Sequence, residues 1–179
     1  TDSDFFNSAG PFRGRKGSVY EGGIRVPFSA RWPGHIKPDS IATNVSAFWD
    51  ILPTLCEITK ADKPQNLDGI SFTSTLFAKN EQRQHDYLYW EFPAYGVQQA
   101  IRSGNWKAVR RGLDQGDTQF ELYDLATDVA EQHDIAAEHP DVIRRLADYG
   151  VKAHTPSNLF PLFAVEKEKT EPAKPVAPP

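Results

Sequence analysis

The residues most able to do chemistry lie in a basic, glycine-bearing segment near the start of the sequence, Arg13–Phe28. Its first half carries three cationic side chains among small residues, namely Arg13, Arg15 and Lys16. Small residues let backbone amides approach an anion, and a lysine or arginine supplies the opposite charge. The segment therefore predicts an anion-binding loop. The alternative is a solvated loop held by a Glu21–Arg25 contact, and composition alone favours that alternative.

Several other kinds of site are excluded or disfavoured. The sequence has no nucleotide-binding glycine fingerprint, no His-Glu-x-x-His and no Gly-x-Ser-x-Gly, and its histidines are not at metal-ligand spacings. A single cysteine, Cys56, excludes an internal disulfide framework and is expected to be a buried helix residue. The net charge of −4 argues against nucleic-acid partners. No apolar run reaches the roughly 18 residues that a membrane span requires.

One long motif gives the sequence a family resemblance. Residues Gly14–Pro27 match the pattern Gly-x-Lys-Gly-x-x-Tyr-Glu-Gly-Gly-x-Arg-Val-Pro, and through it the chain resembles the arylsulfatase-type sulfatases, a family of sulfuric ester hydrolases. Further matches follow in the family's order: Arg31–Gly34, Phe48–Thr54, Asp68–Gly69 with Ser71, Tyr87–Phe92, Ala100–Lys107, Glu121–Leu125 leading to Glu131, and His139–Asp141. The resemblance covers Phe5 to about His154, and the order and spacing of the motifs make it specific.

The resemblance implies an enzyme that consists of a large domain and a smaller C-terminal subdomain. Sulfatases have a large α/β domain whose Cys or Ser, in a Cys/Ser-x-Pro-x-Arg motif, is oxidised to formylglycine, and a calcium ion held by Asp and Asn binds the sulfate oxygens. A smaller C-terminal antiparallel subdomain closes one side of the cleft. This sequence contains neither the nucleophile motif nor the calcium ligands. We therefore expect the C-terminal portion of a sulfatase, inactive by itself and requiring its missing N-terminal domain, with a periplasmic or secreted location.

The resemblance also assigns site residues. Lys16 matches the family lysine that contacts the sulfate and is the expected catalytic residue. Four side chains are expected to contact the substrate, a sulfated carbohydrate or aryl sulfate: Arg13, His85, Glu91 and Tyr95. The alternative for His85, Glu91 and Tyr95 is that they cap or pack the sheet, and the alternative for Arg13 is that it only biases the local electric field. No residue of this chain is expected to bind a metal.

Two other functions remain open. The first is a non-catalytic carbohydrate-binding or interaction module built on a sulfatase scaffold, because an exposed Trp- and Tyr-rich strand end suits sugars in either case. The second is a phosphoesterase of the same broad superfamily, although the Glu-Gly-Gly-x-Arg-Val-Pro segment favours sulfatases. An upstream nucleophile motif would distinguish the enzyme from the binding module.

Hydrophobic periodicity predicts the elements that must position these residues. The first half is expected to contain a strand at Ile24–Trp32, a helix that begins near Asp50 or Pro53 and ends at Thr59, and at most a helical turn within Ile70–Phe77. The second half is expected to contain four strands and a helix: Tyr87–Phe92, Gln98–Arg102, Trp106–Arg110, Phe120–Asp124 and helix Pro140–Ala153.

Together these elements predict an α+β fold. A small antiparallel sheet of about four strands carries a packed C-terminal helix, and the last loop–strand–helix segment of a sulfatase α/β domain precedes it. The expected divisions are residues 1–80 for that segment, 81–158 for the antiparallel subdomain, and 159–179 for a tail rich in Pro, Lys and Glu. The composition of Glu166–Pro179 predicts that this tail is mobile.

Overall fold

The computed structural model describes residues 5–79, 81–163 and 166, which form two compact units. The first unit contains the described residues up to Arg25 and those from Tyr89 onward, and the second unit is Val26–Leu88. The segment that carries Lys16 therefore belongs with the C-terminal sheet in this chain. The boundary expected near residue 80 concerns the domains of a longer protein and stays a prediction.

The first unit is built on a four-stranded antiparallel sheet in the order β1-β2-β3-β4. The strands are β1 (Leu88–Phe92), β2 (Gln98–Ser103), β3 (Trp106–Arg111) and β4 (Glu121–Asp124). Ser103 pairs with Trp106, so Gly104 and Asn105 form a two-residue hairpin turn. Gly104 has a φ of 59°, a left-handed conformation typical of such turns. The predicted α+β fold with a four-stranded antiparallel sheet is confirmed.

A C-terminal helix covers one face of this sheet. Helix α4 (Pro140–Ala153) begins with proline at its first position, where the missing amide hydrogen costs no helical bond. It buries Val142, Leu146 and Gly150. A Cβ atom at Gly150 would lie 3.3 Å from the Ile101 side chain, so the helix approaches strand β2 closely. The predicted helix Pro140–Ala153 is confirmed to the residue.

The opposite face of the sheet carries the segment that contains the candidate anion-binding loop. Side chains alternate between the two faces of a strand, so Ala100 points away from Ile101. Ala100 and Val109 are paired in the sheet and are fully buried in a cluster with Val19 and Tyr20. Because of this alternation, helix α4 packs on one face of the sheet and residues 12–25 pack on the other.

The second unit is organised around a buried aspartate. Asp50 ends a 3-10 turn (Phe48–Asp50) immediately before helix α2 (Ile51–Thr59), and a short helix, α3 (Thr73–Leu76), follows. The Asp50 carboxylate accepts hydrogen bonds from the backbone amides of Ala47, at 2.7 Å, and Ile70, at 2.9 Å. The Asp50 side chain thus ties the turn before helix α2 to the segment at Ile70.

Helix α2 turns its apolar stripe outward in this chain. It buries Pro53, Thr54 and Cys56. Phe48, Leu52 and Leu55 are 75%, 48% and 51% exposed. The prediction of a buried Cys56 in a helix is confirmed, and helix α2 ends at Thr59 as expected.

The predicted strand Ile24–Trp32 is wrong. Ile24 ends a short helix, α1 (Glu21–Ile24), and residues 25–32 form neither helix nor strand. Pro27 has no amide hydrogen to donate to a neighbouring strand, and Val26 and Phe28 are more than 60% exposed. The alternation of apolar residues was real, but within the described residues no strand pairs with this segment.

Only part of the expected tail falls within the described residues. Leu162 is 1% exposed and packs with Val97 and Leu113, so the start of this region belongs to the first unit. The prediction that Glu166–Pro179 is mobile lies, apart from Glu166, outside the described residues. In the part of the chain that the structure describes, no helix combines the length and apolar character needed to span a bilayer.

The packing of α4 predicts the effect of truncating its central side chain. Leu146 is fully buried, so Leu146→Ala should lower the free energy of unfolding by about 2–5 kcal/mol. Val151→Ala in the same helix is the control, because Val151 is 77% exposed and should change stability little. Urea denaturation of the two variants measures the difference. Equal losses in both would contradict the assigned helix face.

Candidate functional site

Lys16 lies at the tip of a tight loop, residues 12–19, which we call the lysine loop. Gly14 and Gly17 flank Lys16 with φ angles of 79° and 91°, in the left-handed region that favours glycine. The Lys16 side chain is exposed, and among the described residues none forms a hydrogen bond or an ion pair with its ammonium group. The ammonium group is therefore presented outward, where an anion can reach it.

Helix α1 supports the lysine loop through direct backbone contact. A Cβ atom at Gly22 would lie closer than 3.0 Å to the carbonyl oxygens of Gly14 and Arg13. At Gly23 it would clash in the same way with the carbonyl oxygen of Ser18. Glycine is thus required at both positions, because any side chain would push the helix away from the loop. This explains the paired glycines of the sequence motif.

A buried ion cluster joins helix α1 to the sheet. Lys107 on strand β3 places its Nζ atom 2.8 Å from Glu21 Oε1 and 2.8 Å from Glu131 Oε1. All three side chains are no more than 1% exposed. The Glu21 backbone amide donates a hydrogen bond of 2.7 Å to Glu131 Oε2. The cluster therefore holds the start of α1 against β3 and against the segment that follows β4.

Lys107 is paired with two carboxylates in this cluster, and the pKa values of these two carboxyl groups are shifted in opposite directions from the ordinary value. Burial alone would raise the pKa of Glu21, but the charges and hydrogen bonds of Lys107 and Arg25 outweigh it and lower that pKa. For Glu131 burial dominates and raises the pKa despite Lys107. Glu131 Oε1 also lies 2.8 Å from the Lys107 ammonium group, so one lysine pairs with both carboxylates.

Arg13, an expected substrate contact, is engaged within the protein. Its Nη1 donates hydrogen bonds to the Tyr123 hydroxyl at 2.7 Å and to the Glu131 carbonyl oxygen at 2.9 Å. The guanidinium carbon also lies 3.9 Å from the centre of the Tyr20 ring. These contacts favour a positioning role, in which Arg13 anchors the start of the lysine loop to the sheet. A contact with substrate stays a prediction.

Two tyrosines and a glutamate extend this anchor. The hydroxyl groups of Tyr20 and Tyr123 both donate hydrogen bonds to Glu121 Oε2 on strand β4. Burial, followed by the hydrogen bond and charge of Glu121, raises the pKa of both tyrosines. Both therefore stay protonated donors near neutral pH. Tyr123 is 2% exposed and packs in the same buried cluster as Val19 and Tyr20.

Tyr95, a second expected substrate contact, lies beside the lysine loop. A Cβ atom at Gly17 would lie 2.9 Å from Tyr95 Cε2, so the ring packs against the residue that follows Lys16. Its other neighbour is Phe92, with ring centres 5.9 Å apart. Tyr95 is nevertheless 80% exposed. The structure thus brings an exposed cation and an exposed aromatic ring into one region.

Glu91, the third expected contact, holds a histidine. The Glu91 carboxylate accepts from the Tyr89 hydroxyl and contacts His154 Nδ1, while His154 Nε2 lies 2.6 Å from Glu166 Oε1. Glu166 Oε2 in turn accepts a 2.8 Å hydrogen bond from the Leu162 amide. Glu91 therefore takes part in attaching Leu162 and Glu166 to the sheet. No described contact of Glu91 involves the lysine loop.

His85, the fourth expected contact, lies in the second unit. Its Nε2 is 2.8 and 2.9 Å from the two carboxylate oxygens of the buried Asp50. The imidazole is therefore a partner of the aspartate that organises that unit. Its role in substrate binding stays a prediction.

Three residues central to this arrangement had no role in the sequence analysis. Lys107 and Glu131 were recognised only as motif positions, and Gln98 only as the start of a strand. Their importance comes from contacts between segments about 80–110 residues apart. The available signal was strand alternation, which puts Lys107 on the same face as the buried Val109 and so predicts an internal partner for its charge.

The buried cluster predicts a large loss of stability when its cation is removed. Lys107→Met leaves two buried carboxylates without their lysine and should lower the free energy of unfolding by about 3–5 kcal/mol. The triple variant E21Q/K107M/E131Q, which removes the unpaired charges, should regain part of that loss. Lys152→Met, at an exposed position of α4, is the control. Chemical denaturation showing that K107M is as stable as K152M would contradict the assigned role.

The two carboxylates around His154 predict its titration. Burial alone would lower the pKa of His154, but its hydrogen bonds and charge interactions with Glu91 and Glu166 raise it above the ordinary 6.5. This contribution to stability is complete below the unfolded-state pKa and is lost as pH rises through the raised folded-state pKa. An NMR titration of the His154 ring should show that raised pKa, and Glu91→Gln should lower it. A pKa at or below 6.5 in the unmodified chain would contradict the arrangement.

Comparison with known proteins identifies the architecture. The family model described as N-sulphoglucosamine sulphohydrolase, C-terminal, matches residues 12–149. Solved structures share the fold: one from work on glycosaminoglycan metabolism by Bacteroides thetaiotaomicron covers 86% of this chain and 35% of that one, with 28% identity and a TM-score of 0.65. A second, Ps i-CgsB, covers 80% and 32%, with 24% identity and a TM-score of 0.69.

Curated relatives are sulfatases that are considerably longer than this chain. An uncharacterized sulfatase of Schizosaccharomyces pombe is 36% identical over 78% of this chain and 26% of its own length. An N-acetylgalactosamine-6-O-sulfatase of Bacteroides thetaiotaomicron is 33% identical over 78% and 29%. Human arylsulfatase A is 32% identical over 77% and 32%. The chain thus spans about a quarter to a third of these relatives, and it belongs to the sulfatase family as a C-terminal sulfatase portion.

Proposed function

We propose that the protein containing this chain hydrolyses sulfate esters and that Lys16 contacts the sulfate in its active site. One observation carries the proposal: an exposed lysine is presented on a rigidly supported loop in a chain of the sulfatase family. The backbone of that loop is supported on its sheet side by helix α1, by Arg13 and by the buried ion cluster. The ammonium group is therefore held ready for an anion without being neutralised by a described carboxylate.

The chemistry assigned to Lys16 follows from how a sulfate ester breaks. Negative charge grows on the oxygen atoms as the S–O bond lengthens, and a fixed cation stabilises that charge more strongly than it stabilises the bound substrate. A loop held by close backbone contacts is suited to this task, because preorganised groups need little rearrangement during the reaction. The glycine contacts beneath the lysine loop supply that rigidity.

The nucleophile and the metal ion belong, in this proposal, to the upstream α/β domain. Among residues 5–79, 81–163 and 166, no group of three or more His, Cys, Asp or Glu side chains could hold a metal ion, so these residues do not fit a calcium site. Cys56 lies in no Cys-x-Pro-x-Arg motif, and its thiol faces the Asp62 carbonyl oxygen at 3.8 Å. The formylglycine and calcium expected from the resemblance would therefore be contributed by the upstream domain, and this chain alone would be inactive.

Exposed apolar residues of the second unit support a large upstream partner. Phe28, Ile41, Phe48 and Leu55 are each at least half exposed. Large apolar side chains exposed in this way are typical of surfaces that another domain covers. We assign this covering to the α/β domain that precedes the chain in the complete protein.

The proposed substrate is a sulfated carbohydrate or an aryl sulfate. An exposed tyrosine next to the lysine loop supports this class, because an aromatic face stacks on a sugar or aryl ring while the ammonium group contacts the sulfate. Tyr95 is the residue we assign to that contact. Arg13, Glu91 and His85 act, in this proposal, chiefly through the internal partners described above.

A non-catalytic carbohydrate-binding module remains the second candidate. The same exposed lysine and tyrosine could bind a sulfated sugar without hydrolysing it. The coding sequence upstream of Thr1 separates the two functions. A Cys/Ser-x-Pro-x-Arg motif there supports the hydrolase, whereas a start codon close to Thr1 with no such motif would favour the binding module.

The proposal predicts a selective loss of turnover when Lys16 is truncated. In the complete protein, Lys16→Ala should lower kcat by about 100- to 1000-fold, because one preorganised donor to the developing charge is lost. Stability should change little, since the side chain is exposed. Lys37→Ala, at an exposed position of the second unit, is the control. Turnover of an aryl sulfate that is unchanged in K16A would remove Lys16 from the active site.

A further inference from the structure

A single buried amide side chain connects the lysine loop to the turn that carries Tyr95. Gln98, the first residue of strand β2, is 3% exposed. Its Nε2 donates a 3.0 Å hydrogen bond to the Gly17 carbonyl oxygen, and its Oε1 accepts one of 3.3 Å from the Val19 amide. The same Nε2 lies 3.4 Å from the carbonyl oxygens of both Ala94 and Tyr95.

Only an uncharged amide satisfies all of these partners. The Nε2 side faces three carbonyl oxygens, which accept hydrogen bonds, and the Oε1 side faces a backbone amide, which donates one. A carboxylate of the same shape would place an oxygen against the three carbonyl groups, and an apolar side chain would leave the Val19 amide without its partner. The position therefore selects for glutamine by its chemistry as well as its size.

The turn fixed by Gln98 has an unusual backbone. Tyr95, Gly96 and Val97 have φ angles of 53°, 87° and 37°, so three successive residues are left-handed. This conformation is costly for a β-branched residue such as Val97 and persists only where surrounding contacts impose it. The Gly112 amide bonds to the Gly96 carbonyl oxygen, and the Val97 side chain is buried. The backbone that carries Tyr95 is consequently fixed, and its ring packs against Gly17.

We infer that Gln98 is a positioning residue of the substrate site, which sets Lys16 and Tyr95 at a fixed separation so that one sulfated sugar ring can meet both. This inference rests on the proposed function, because it assigns Lys16 to the sulfate and Tyr95 to the ring. Gln98 itself is buried and touches no substrate. It acts through the two backbone segments that it joins.

The test compares the same substitution at two neighbouring buried glutamines in the complete protein. Gln98→Glu keeps the shape but removes the donor to Gly17. Gln99→Glu is the matched control, because Gln99 is also fully buried but bonds to Arg110 and Tyr89 instead. With a small aryl sulfate as substrate, Q98E should lower kcat/KM by about 10- to 100-fold, as expected when a catalytic group is displaced. The kcat/KM of Q99E should stay within about twofold of that of the unmodified protein, which is the variation expected from a substitution that does not affect the site.

A double-mutant cycle separates positioning from a general structural effect. If Gln98 acts through Lys16, Q98E should lower activity far less in a K16A background than in the unmodified protein. Losses that multiply independently would overturn the inference, and so would equal losses in Q98E and Q99E. If the unmodified complete protein hydrolyses no sulfate ester, the proposed function is wrong. The role of Gln98 in joining the loop and the turn is then tested by hydrogen exchange.

Amide hydrogen exchange tests the positioning role of Gln98 without requiring enzymatic activity. It uses a different variant, so the test still applies if Q98E does not fold. Gln98→Met retains the length of the side chain without its hydrogen bonds. Relative to Gln99→Met, it should speed amide exchange at residues 17–19 and 95–97 while leaving helix α4 protected, because only the bridge between the loop and the turn is lost. Exchange that is unchanged in those two segments would overturn the inference.

Discussion

The ammonium group of Lys107, buried between Glu21 and Glu131, determines how the lysine loop is seated on the sheet. Removing a cation from water is costly, and the cost is offset only when oxygen atoms surround it closely. Here two carboxylates approach to 2.8 Å, one from helix α1 and one from the segment after β4. Any other placement of α1 would leave a buried charge unpaired. The cluster therefore favours one arrangement of helix α1 on the sheet.

The remaining supports of the loop depend on that placement. Once α1 is fixed, Gly22 and Gly23 can approach the loop backbone, which a side chain at either position would prevent. The Arg13 guanidinium group then reaches Tyr123 and the Glu131 carbonyl oxygen, and Glu131 itself adopts a left-handed φ of 54°. Such backbone strain is retained where surrounding contacts require it. The result is a rigid base beneath an exposed lysine.

The sequence predicted elements that depend on local signals and missed those that depend on distant contacts. Helix α4 and the β2–β3 hairpin were predicted closely because periodicity, Pro140 and Gly104 are visible within a few residues. The strand expected at Ile24–Trp32 failed because alternation cannot show whether a neighbouring strand exists.

The candidate site was predictable to the same degree. The lysine loop was found from its charges, its glycines and its family motif, and the structure supplied the reason for each glycine. The contacts of Arg13 with Tyr123, of Glu91 with His154 and of His85 with Asp50 could not be foreseen, because each pair is 35 or more residues apart in sequence. Gln98 was missed for the same reason. An uncharged side chain at a strand start gives no signal until the segments it joins are known.

The most direct test of the account is the structure of the complete protein with an unreacted sulfated sugar bound. The account predicts that Lys16 Nζ lies within about 2.7–3.0 Å of a sulfate oxygen, the distance of a charge-assisted hydrogen bond. It also predicts that the lysine loop keeps the backbone described above and that the Tyr95 ring faces the sugar. A sulfate group bound out of reach of Lys16 would contradict the central claim.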